Sequence, residues 1–209
     1  MKTVYAAILG IAFAGAAEAH RLDEYLQATR ISIELDRIAA EINLTPGAAV
    51  ADSVFAAMDR DRNGEVSPSE SAAYAGYVVR ALSLQVDGQS RPLTLDSYSI
   101  PSLADMRRGE GIIRLRATAK TPSASAGRHR LTFANTHRSD IGVYLVNALV
   151  PTDERIRITG QSRDFLQHEF EMDYSVSERE SAPGLAAAFP SMLGLILAAG
   201  FYAIARRFN

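Results

Sequence analysis

The stretch I-S-I-E-L-D-R-I-A-A-E-I-N-L, residues 31–44, decides the fold. Its apolar and polar residues alternate on both sides of Asp36-Arg37, which is the pattern of two half-buried strands joined by a tight turn. A second hairpin is predicted around Asp87-Gly88, between the apolar positions of residues 82–86 and 93–95. Further strand-like runs follow at residues 111–119, 128–134, 141–150, 155–160 and 165–174. Strands at this spacing predict a mainly β, sandwich-like domain.

Residues 48–81 break the β pattern and predict an inserted helix–loop–helix. Apolar side chains recur at helical spacing on either side of the polar segment 59–70. They are Val50, Val54, Phe55 and Met58 before the segment, and Tyr74, Tyr77, Val78 and Ala81 after it. Two short helices are therefore expected to flank this loop.

The loop itself, residues 59–70, reads D-R-D-R-N-G-E-V-S-P-S-E. Side chains that carry oxygen stand at loop positions 1, 3, 5, 9 and 12, and Gly64 stands at position 6, where the backbone must turn sharply. This is the EF-hand pattern, in which one short loop wraps about six to eight oxygens around a calcium ion. The predicted ligands of Ca²⁺ are Asp59, Asp61, Asn63, Ser67 and Glu70, together with the backbone carbonyl of Glu65.

Other features of the loop support this interpretation, and one alternative competes with it. Val66 at position 8 is apolar, as packing beneath the loop requires, although Ser71 stands where an apolar residue usually follows the glutamate. Ser67 to Glu70 is also a capping box with proline at the first helical position. Capping explains the start of a helix but not the acidic residues in register before it. With one such loop, a structural ion is expected rather than a switch.

The two ends of the chain predict export and a membrane anchor. Residues 1–19 have the features of a signal peptide cleaved before His20, the alternative being an N-terminal anchor that is retained. Residues 185–205 are uncharged and long enough to cross a bilayer, with a cytoplasmic tail at 206–209. The alternatives for that segment are a buried core helix or a sorting signal that is removed. Residues 20–172 are then the extracytoplasmic β domain, and residues 173–184 are a polar stalk.

This topology places a single-pass protein in the bacterial inner (cell) membrane, with its domain in the periplasm or outside the cell. The formal net charge of −2 argues against a nucleic-acid partner. Because the chain has no cysteine, disulfides, thiolate metal sites and cysteine nucleophiles are excluded. Serine-hydrolase, P-loop and zinc-protease motifs are missing from the sequence, so the chain is predicted not to be an enzyme.

Histidines offer a second kind of metal chemistry. After cleavage, His20 would present an α-amino group and an imidazole to one copper or nickel ion. His129 and His137 could join it if the fold brings them together, although no paired-histidine spacing supports such a site.

Several segments together resemble a bacterial family of exported proteins. They are A-H-R-L-D-E-Y (19–25), the loop 59–70, L-Q-V-D-G (84–88), R-L-T-F-A-N (130–135) and Y-L-V-N-A-L-V-P (144–151). This family is similar in layout to periplasmic domains fused to, or encoded beside, nickel/cobalt-type permeases. The resemblance implies an accessory role in metal transport, with a membrane permease as partner.

The sequence therefore predicts a calcium-binding, membrane-anchored extracytoplasmic binding or interaction module, held to the bilayer by residues 185–205. The first rival is an accessory protein of a nickel, cobalt or copper transport system that uses His20. The second rival is an envelope enzyme whose active site has no recognisable motif.

Overall fold

The computed structural model of the chain describes residues 22–122 and 124–178. Within them, ten strands and three helices follow one another along the chain. In order they are β1 (Tyr25–Ile33), β2 (Arg37–Pro46), α1 (Ala51–Met58), α2 (Pro68–Arg80), β3 (Leu82–Val86), β4 (Gln89–Ser90), β5 (Thr94–Ser99), α3 (Leu103–Arg107), β6 (Ile113–Lys120), β7 (Gly127–Asn135), β8 (Gly142–Ala148), β9 (Ile156–Arg163) and β10 (Glu169–Val176).

The strands form two five-stranded sheets, so the predicted mainly β fold is confirmed. Sheet A has the order β5-β6-β2-β1-β8, and sheet B has the order β4-β3-β7-β10-β9. The β1–β2 hairpin pairs Ile31 with Ala40 and Ile33 with Ile38, as the alternation predicts. Strand β8 then adds to β1 in the parallel sense at the edge of sheet A.

The buried face of sheet A is shared between two partners. Near the β1–β2 turn, Ile31, Ile33 and Ile38 pack with apolar residues of sheet B, among them Phe133 and Phe170. Further along the same strands, the core is completed by α1 and α2 rather than by sheet B. The residues there include Tyr25, Ala40, Ile42 and Leu44 from the sheet and Val54, Phe55, Met58, Tyr74, Ala75 and Val78 from the helices. The helical insert is thus part of the core, and burial of its apolar faces stabilises the domain.

One edge of the sandwich is closed by a side chain. Arg163, the last residue of β9, donates from Nε to the backbone carbonyl of Val146 at 2.7 Å and from Nη2 to Asn147 Oδ1 at 2.9 Å. Both acceptors belong to β8. A carbonyl of an edge strand is otherwise left for water or for another chain, so this contact ties the edge of sheet A to that of sheet B.

The structure corrects the second predicted hairpin and adds one helix. The second hairpin does turn at Asp87-Gly88, where both φ angles are positive. Its return arm ends at Ser90, however, and the next strand, β5, pairs with β6 in sheet A. Pro92 lies between them and has no N–H to continue the ladder with β3. The short helix α3 was not predicted.

The proposed stalk at 173–184 begins too early. Residues 173–176 are the end of β10, where Tyr174 and Val176 are buried in the core between the sheets. The alternation of buried and exposed positions continues to Val176, so the polar composition of this segment reflects its solvent-facing side.

The predicted signal peptide at 1–19, residue His20, the span 185–205 and the tail 206–209 lie outside the described residues. Among the residues that are described, the three helices are all too short or too polar to cross a bilayer.

Candidate metal centre

Helices α1 and α2 hold the two ends of the loop 59–70. Phe55 on α1 and Tyr74 on α2 are buried in the core, as the spacing predicts, and Val66 packs partly buried against the same cluster. Helix α2 begins with the predicted capping box, in which the Ser67 hydroxyl accepts from the backbone N–H of Glu70 and the Glu70 carboxylate accepts from the backbone N–H of Ser67. Both ends of the loop are therefore held in place by helices that pack in the core.

Three carboxylates of the loop lie close together. Ligand oxygens of Asp59, Asp61 and Glu70 all lie within 4.8 Å of one another. Asp59 and Glu70 are largely buried, with 6% and 9% of their surface exposed, and Asp61 is exposed. Negative charges this close repel one another, so the arrangement favours a cation between them.

Backbone amides of the loop point at the first two carboxylates. Asp59 accepts from the N–H of Asn63 at 3.1 Å and from that of Gly64 at 2.9 Å. Asp61 Oδ1 accepts from the N–H of Asn63, also at 3.1 Å. These bonds orient both side chains toward the inside of the loop, so a cation would meet carboxylates that are already positioned.

Glu70 closes the loop from the other end. Its Oε1 accepts from the N–H of Arg60 at 2.7 Å, and its Oε2 accepts from the N–H and hydroxyl of Ser67 at 2.9 and 2.8 Å. The hydrogen bonds from the backbone and side chain of Ser67, with smaller contributions from Arg60 and Asp61, lower the pKa of Glu70 to about 2, against the opposing effect of burial. Glu70 therefore remains ionised at any pH near neutrality.

The other predicted ligands lie in the same loop but make different contacts. The Asn63 amide donates to Asp61 Oδ2 at 3.1 Å, while its oxygen accepts from the N–H of Glu65 at 2.8 Å. The hydroxyl of Ser67 lies 3.0 Å from that of Ser69. Asn63 and Ser67 thus sit beside the carboxylates, with their oxygens engaged in hydrogen bonds of the loop.

Gly64 has the backbone conformation expected at position 6. Its φ is +89°, and a Cβ added there would meet nothing within 4 Å. Only the left-handed backbone, and no steric contact, therefore requires glycine. Gly64→Ala is expected to cost about 1–2 kcal/mol of the free energy of unfolding and to weaken calcium binding by deforming the loop.

A matched control for this variant is Gly88→Ala in the β3–β4 turn. Gly88 also has a positive φ, +73°, and open space around it. Denaturant unfolding and calcium titration should show a similar loss of stability in both variants but weaker calcium binding in Gly64→Ala alone. Equal calcium affinities would show that the turn at Gly64 does not shape the ligand set.

Beside the helices lies a buried polar network that the sequence did not predict. His137, which is 1% exposed, follows β7. Its carbonyl accepts from Gln27 Nε2 and from the Tyr144 hydroxyl, both at 2.7 Å, and its N–H donates to Asn135 Oδ1 at 2.9 Å. Gln27 and Tyr144 lie at buried positions of β1 and β8, and nothing in the sequence shows that they meet at His137.

The ring of His137 is enclosed by aromatic side chains. Nδ1 lies 3.2 Å from Gln27 Oε1, whereas Nε2 is buried without a hydrogen-bond partner among the described residues. The rings of Tyr25, Tyr74 and Tyr77 lie 5.8, 5.8 and 5.3 Å away, measured between centroids. Burial, and to a smaller extent the charge of Arg138, lowers the pKa of His137 to about 4. At neutral pH the ring is uncharged.

The fold keeps His129 and His137 apart. His129, near the start of β7, places its ring nitrogens 2.7 Å from Asp87 Oδ2 and 2.8 Å from the Ser125 carbonyl. About 20 Å of strand separates it from the end of β7, beyond which His137 lies. The hypothesis of a transition-metal site that joins these two histidines is therefore wrong. His20 lies outside the described residues.

Comparison of the chain with models of known protein families and with curated proteins finds no match. The resemblance to exported domains associated with nickel/cobalt-type permeases therefore stays a prediction from the sequence, and the function has to be argued from the site.

Proposed function

We propose that residues 48–81 are an EF-hand that binds one calcium ion through Asp59, Asp61, Asn63, Ser67, Glu70 and the carbonyl of Glu65. The observation that carries this proposal is the carboxylate cluster at loop positions 1, 3 and 12, whose oxygens lie within 4.8 Å of one another. Oxygens bound to one calcium ion, each at about 2.3–2.6 Å, cannot lie more than about 5 Å apart. The spacing in the loop is therefore the spacing that a shared ion requires.

The chemistry of the donors favours calcium over other cations. Every predicted ligand is an oxygen, which suits a hard cation rather than copper, nickel or zinc. Mg²⁺ demands a smaller, octahedral set of ligands and gives up its water reluctantly, whereas Ca²⁺ accepts more ligands in an irregular arrangement. A loop that offers six protein oxygens fits the larger ion.

The ion's proposed role is structural. The helices on both sides of the loop already contribute to the core against sheet A. They are therefore expected to keep their positions when calcium leaves. An ion held between Asp59 and Glu70 links the end of α1 to the start of α2, and it stabilises the folded chain by mass action. An extracytoplasmic site of this kind needs a Kd of only about 10⁻⁴–10⁻³ M.

The remaining part of the proposal concerns location. We propose a binding or interaction module that is exported by residues 1–19 and anchored by residues 185–205, with the calcium-bearing domain in the periplasm or outside the cell. Its support is the sequence of the two ends. A free calcium concentration that is high outside the cytoplasm would keep a weak structural site filled there.

The direct test is isothermal titration of calcium into the full-length chain in a mild detergent. One ion per chain is expected, and Glu70→Gln should lower its affinity at least a hundredfold because a bidentate charged ligand is lost. The matched control is Glu65→Gln, which makes the same change in the same loop but leaves the carbonyl ligand intact. Unchanged binding in Glu70→Gln, or an equal loss in Glu65→Gln, would refute the assigned ligand set.

A further inference from the structure

A groove of about 560 Å³ opens next to the calcium loop, on the outer side of α1 and α2. Its volume lies in the range of small-molecule sites, about 300–1,000 Å³. Three arginines stand around it, and its wall is largely aromatic and aliphatic. The residues used below are Arg60, Arg80, Arg138, Tyr74, Tyr77 and Glu70.

Two of the three arginines are not engaged in ion pairs within the described part of the chain. Neither Arg60 nor Arg80 forms an ion pair with any residue in the part of the chain that the structure describes. Arg138, in contrast, forms a two-pronged ion pair with Asp140 at 2.9 and 3.0 Å. The groove thus has two guanidinium groups whose donors are free to receive an anion.

The position of Arg80 supports its proposed role as a donor to an anion in the groove. A Cβ added to Gly76 would lie 3.2 Å from Arg80 Nη1, so the guanidinium lies back along α2, one turn before its own Cα. The absence of a side chain at Gly76 makes room for it there. The cation is therefore held over the surface of α2 that also carries Tyr77.

Tyrosines provide the apolar part of the wall. Tyr77 is 47% exposed, although it packs edge-on against the buried ring of His137 with 5.3 Å between centroids. Tyr74 lies beside it, with 6.2 Å between the two ring centroids. Tyr74 is buried and supports the exposed ring of Tyr77. An exposed tyrosine that is fixed by buried rings and lies next to two arginines without ion pairs suits a ligand with both an apolar body and an anionic group.

We propose that this groove binds a small organic anion, an apolar body that carries one carboxylate or phosphate group, and that calcium in the loop strengthens its binding. Arg60 and Arg80 receive the anionic group, and Tyr77 contacts the apolar body. The part that concerns calcium rests on the proposed function of the loop.

Glu70 provides the coupling, because it belongs to both sites. Glu70 lines the groove, and its carboxylate is the proposed bidentate ligand of the ion. Without calcium, the carboxylate repels an anion in the groove and attracts the neighbouring arginines. With calcium, its charge is neutralised, so the anion meets a more positive surface. The coupling of two sites is reciprocal and is typically about 5–150-fold.

The test is titration of phenyl phosphate and phenylacetate into the full-length chain, with calcium and with a chelator. Affinity should rise about tenfold when calcium is present. 2-Phenylethanol lacks the charge and should bind at least tenfold more weakly than phenyl phosphate. Inorganic phosphate lacks the apolar body, and it should also bind at least tenfold more weakly than phenyl phosphate when both are measured without calcium. Equal binding of phenyl phosphate and either of these probes would overturn the assigned ligand class.

Arginine variants locate the site. Arg80→Gln and Arg60→Gln should each weaken binding of the two organic anions about tenfold or more. The control Arg114→Gln removes an exposed arginine of β6 that also has no ion pair among the described residues, and it should change nothing. Loss of binding in the control alone, or none in the groove variants, would refute the location.

The same variants separate this inference from the proposed function. Calcium affinity is measured in each variant without an organic anion, and it should be retained in Arg80→Gln. If the chain binds calcium but the anions bind equally with and without it, the coupling is wrong and the calcium site stands. If calcium does not bind at all, the proposed function fails, and anion binding in the chelator decides separately whether the groove is a site.

Discussion

Calcium at about a hundred times its Kd is expected to raise the free energy of unfolding by about 2.7 kcal/mol, and Asp59→Asn should remove this gain. For a domain of this size the gain corresponds to an increase in Tm of roughly 5–10 °C. The reason is that Asp59 is the first ligand of the proposed site, and its oxygens lie within 4.8 Å of those of Asp61 and Glu70. Thermal unfolding with and without calcium measures the effect.

In the absence of calcium the same variant should be close in stability to the wild type. Asparagine has one oxygen, so it keeps only one of the two hydrogen bonds that Asp59 accepts, through Oδ1 from the N–H of Asn63 and through Oδ2 from that of Gly64. This loss is opposed by the removal of one of three mutually repelling charges. The difference in stability between the two proteins should therefore grow when calcium is added, which distinguishes the loss of a ligand from a general defect in folding.

Asp52→Asn is the matched control for Asp59→Asn. Asp52 lies on α1 before the loop and forms an exposed ion pair with Arg107 at 2.8 Å, so its loss should cost well under about 1 kcal/mol. The calcium-induced increase in Tm should persist in this variant. If Asp59→Asn keeps the increase, or Asp52→Asn loses it, the ion does not bind where we place it.

Acidification from about pH 6.5 to pH 4.5 is expected to cost the domain about 2 kcal/mol through His137 alone. In the unfolded chain an imidazole titrates near pH 6.5, whereas burial lowers the pKa of His137 in the folded chain to about 4. Between these values the unfolded state binds a proton that the folded state does not. The contribution to stability is therefore complete above pH 6.5 and is lost as the pH falls toward 4.

The pH dependence can be assigned with two histidine variants. His137→Gln retains a donor for Gln27 and should flatten the decline in stability between pH 7 and 4.5. His129→Gln should have the opposite effect, because the hydrogen bond to Asp87 raises the pKa of His129. A raised pKa stabilises the fold below the unfolded value and ceases to do so as the pH rises, so removing His129 makes acid more damaging.

NMR titration of the His137 ring in the wild-type protein measures its pKa directly and does not depend on the folding of a variant. A pKa near 4 is expected, and a value near 6.5 would contradict the buried, uncharged imidazole. Unfolding measurements should stay above pH 4.5, because Glu70, whose pKa is also lowered, adds a loss of the same sign below that value.

The amino-acid sequence by itself determined the features that depend on neighbours along the chain. Alternation at residues 31–44 predicts the buried positions Ile31, Ile33, Ile38, Ala40, Ile42 and Leu44, because successive side chains of a strand point to opposite faces. The register of Asp59, Asp61 and Glu70 was readable for a similar reason. One loop of twelve residues supplies the whole predicted ligand set, so the prediction needs no contact between distant parts of the chain.

Tertiary structure alone decided what brings distant residues together. Gln27, Asn135, His137 and Tyr144 come from separate strands and loops, and their network depends on β8 joining β1 and on β7 lying opposite, in the other sheet. The groove likewise needs Arg138 to meet two helices that lie far from it in sequence. Such pairings follow from the long-range packing of two sheets and a helical pair, which local periodicity does not encode. The sequence therefore predicts the calcium ligands, and the packed fold provides the groove and the pH-sensitive histidine beside them.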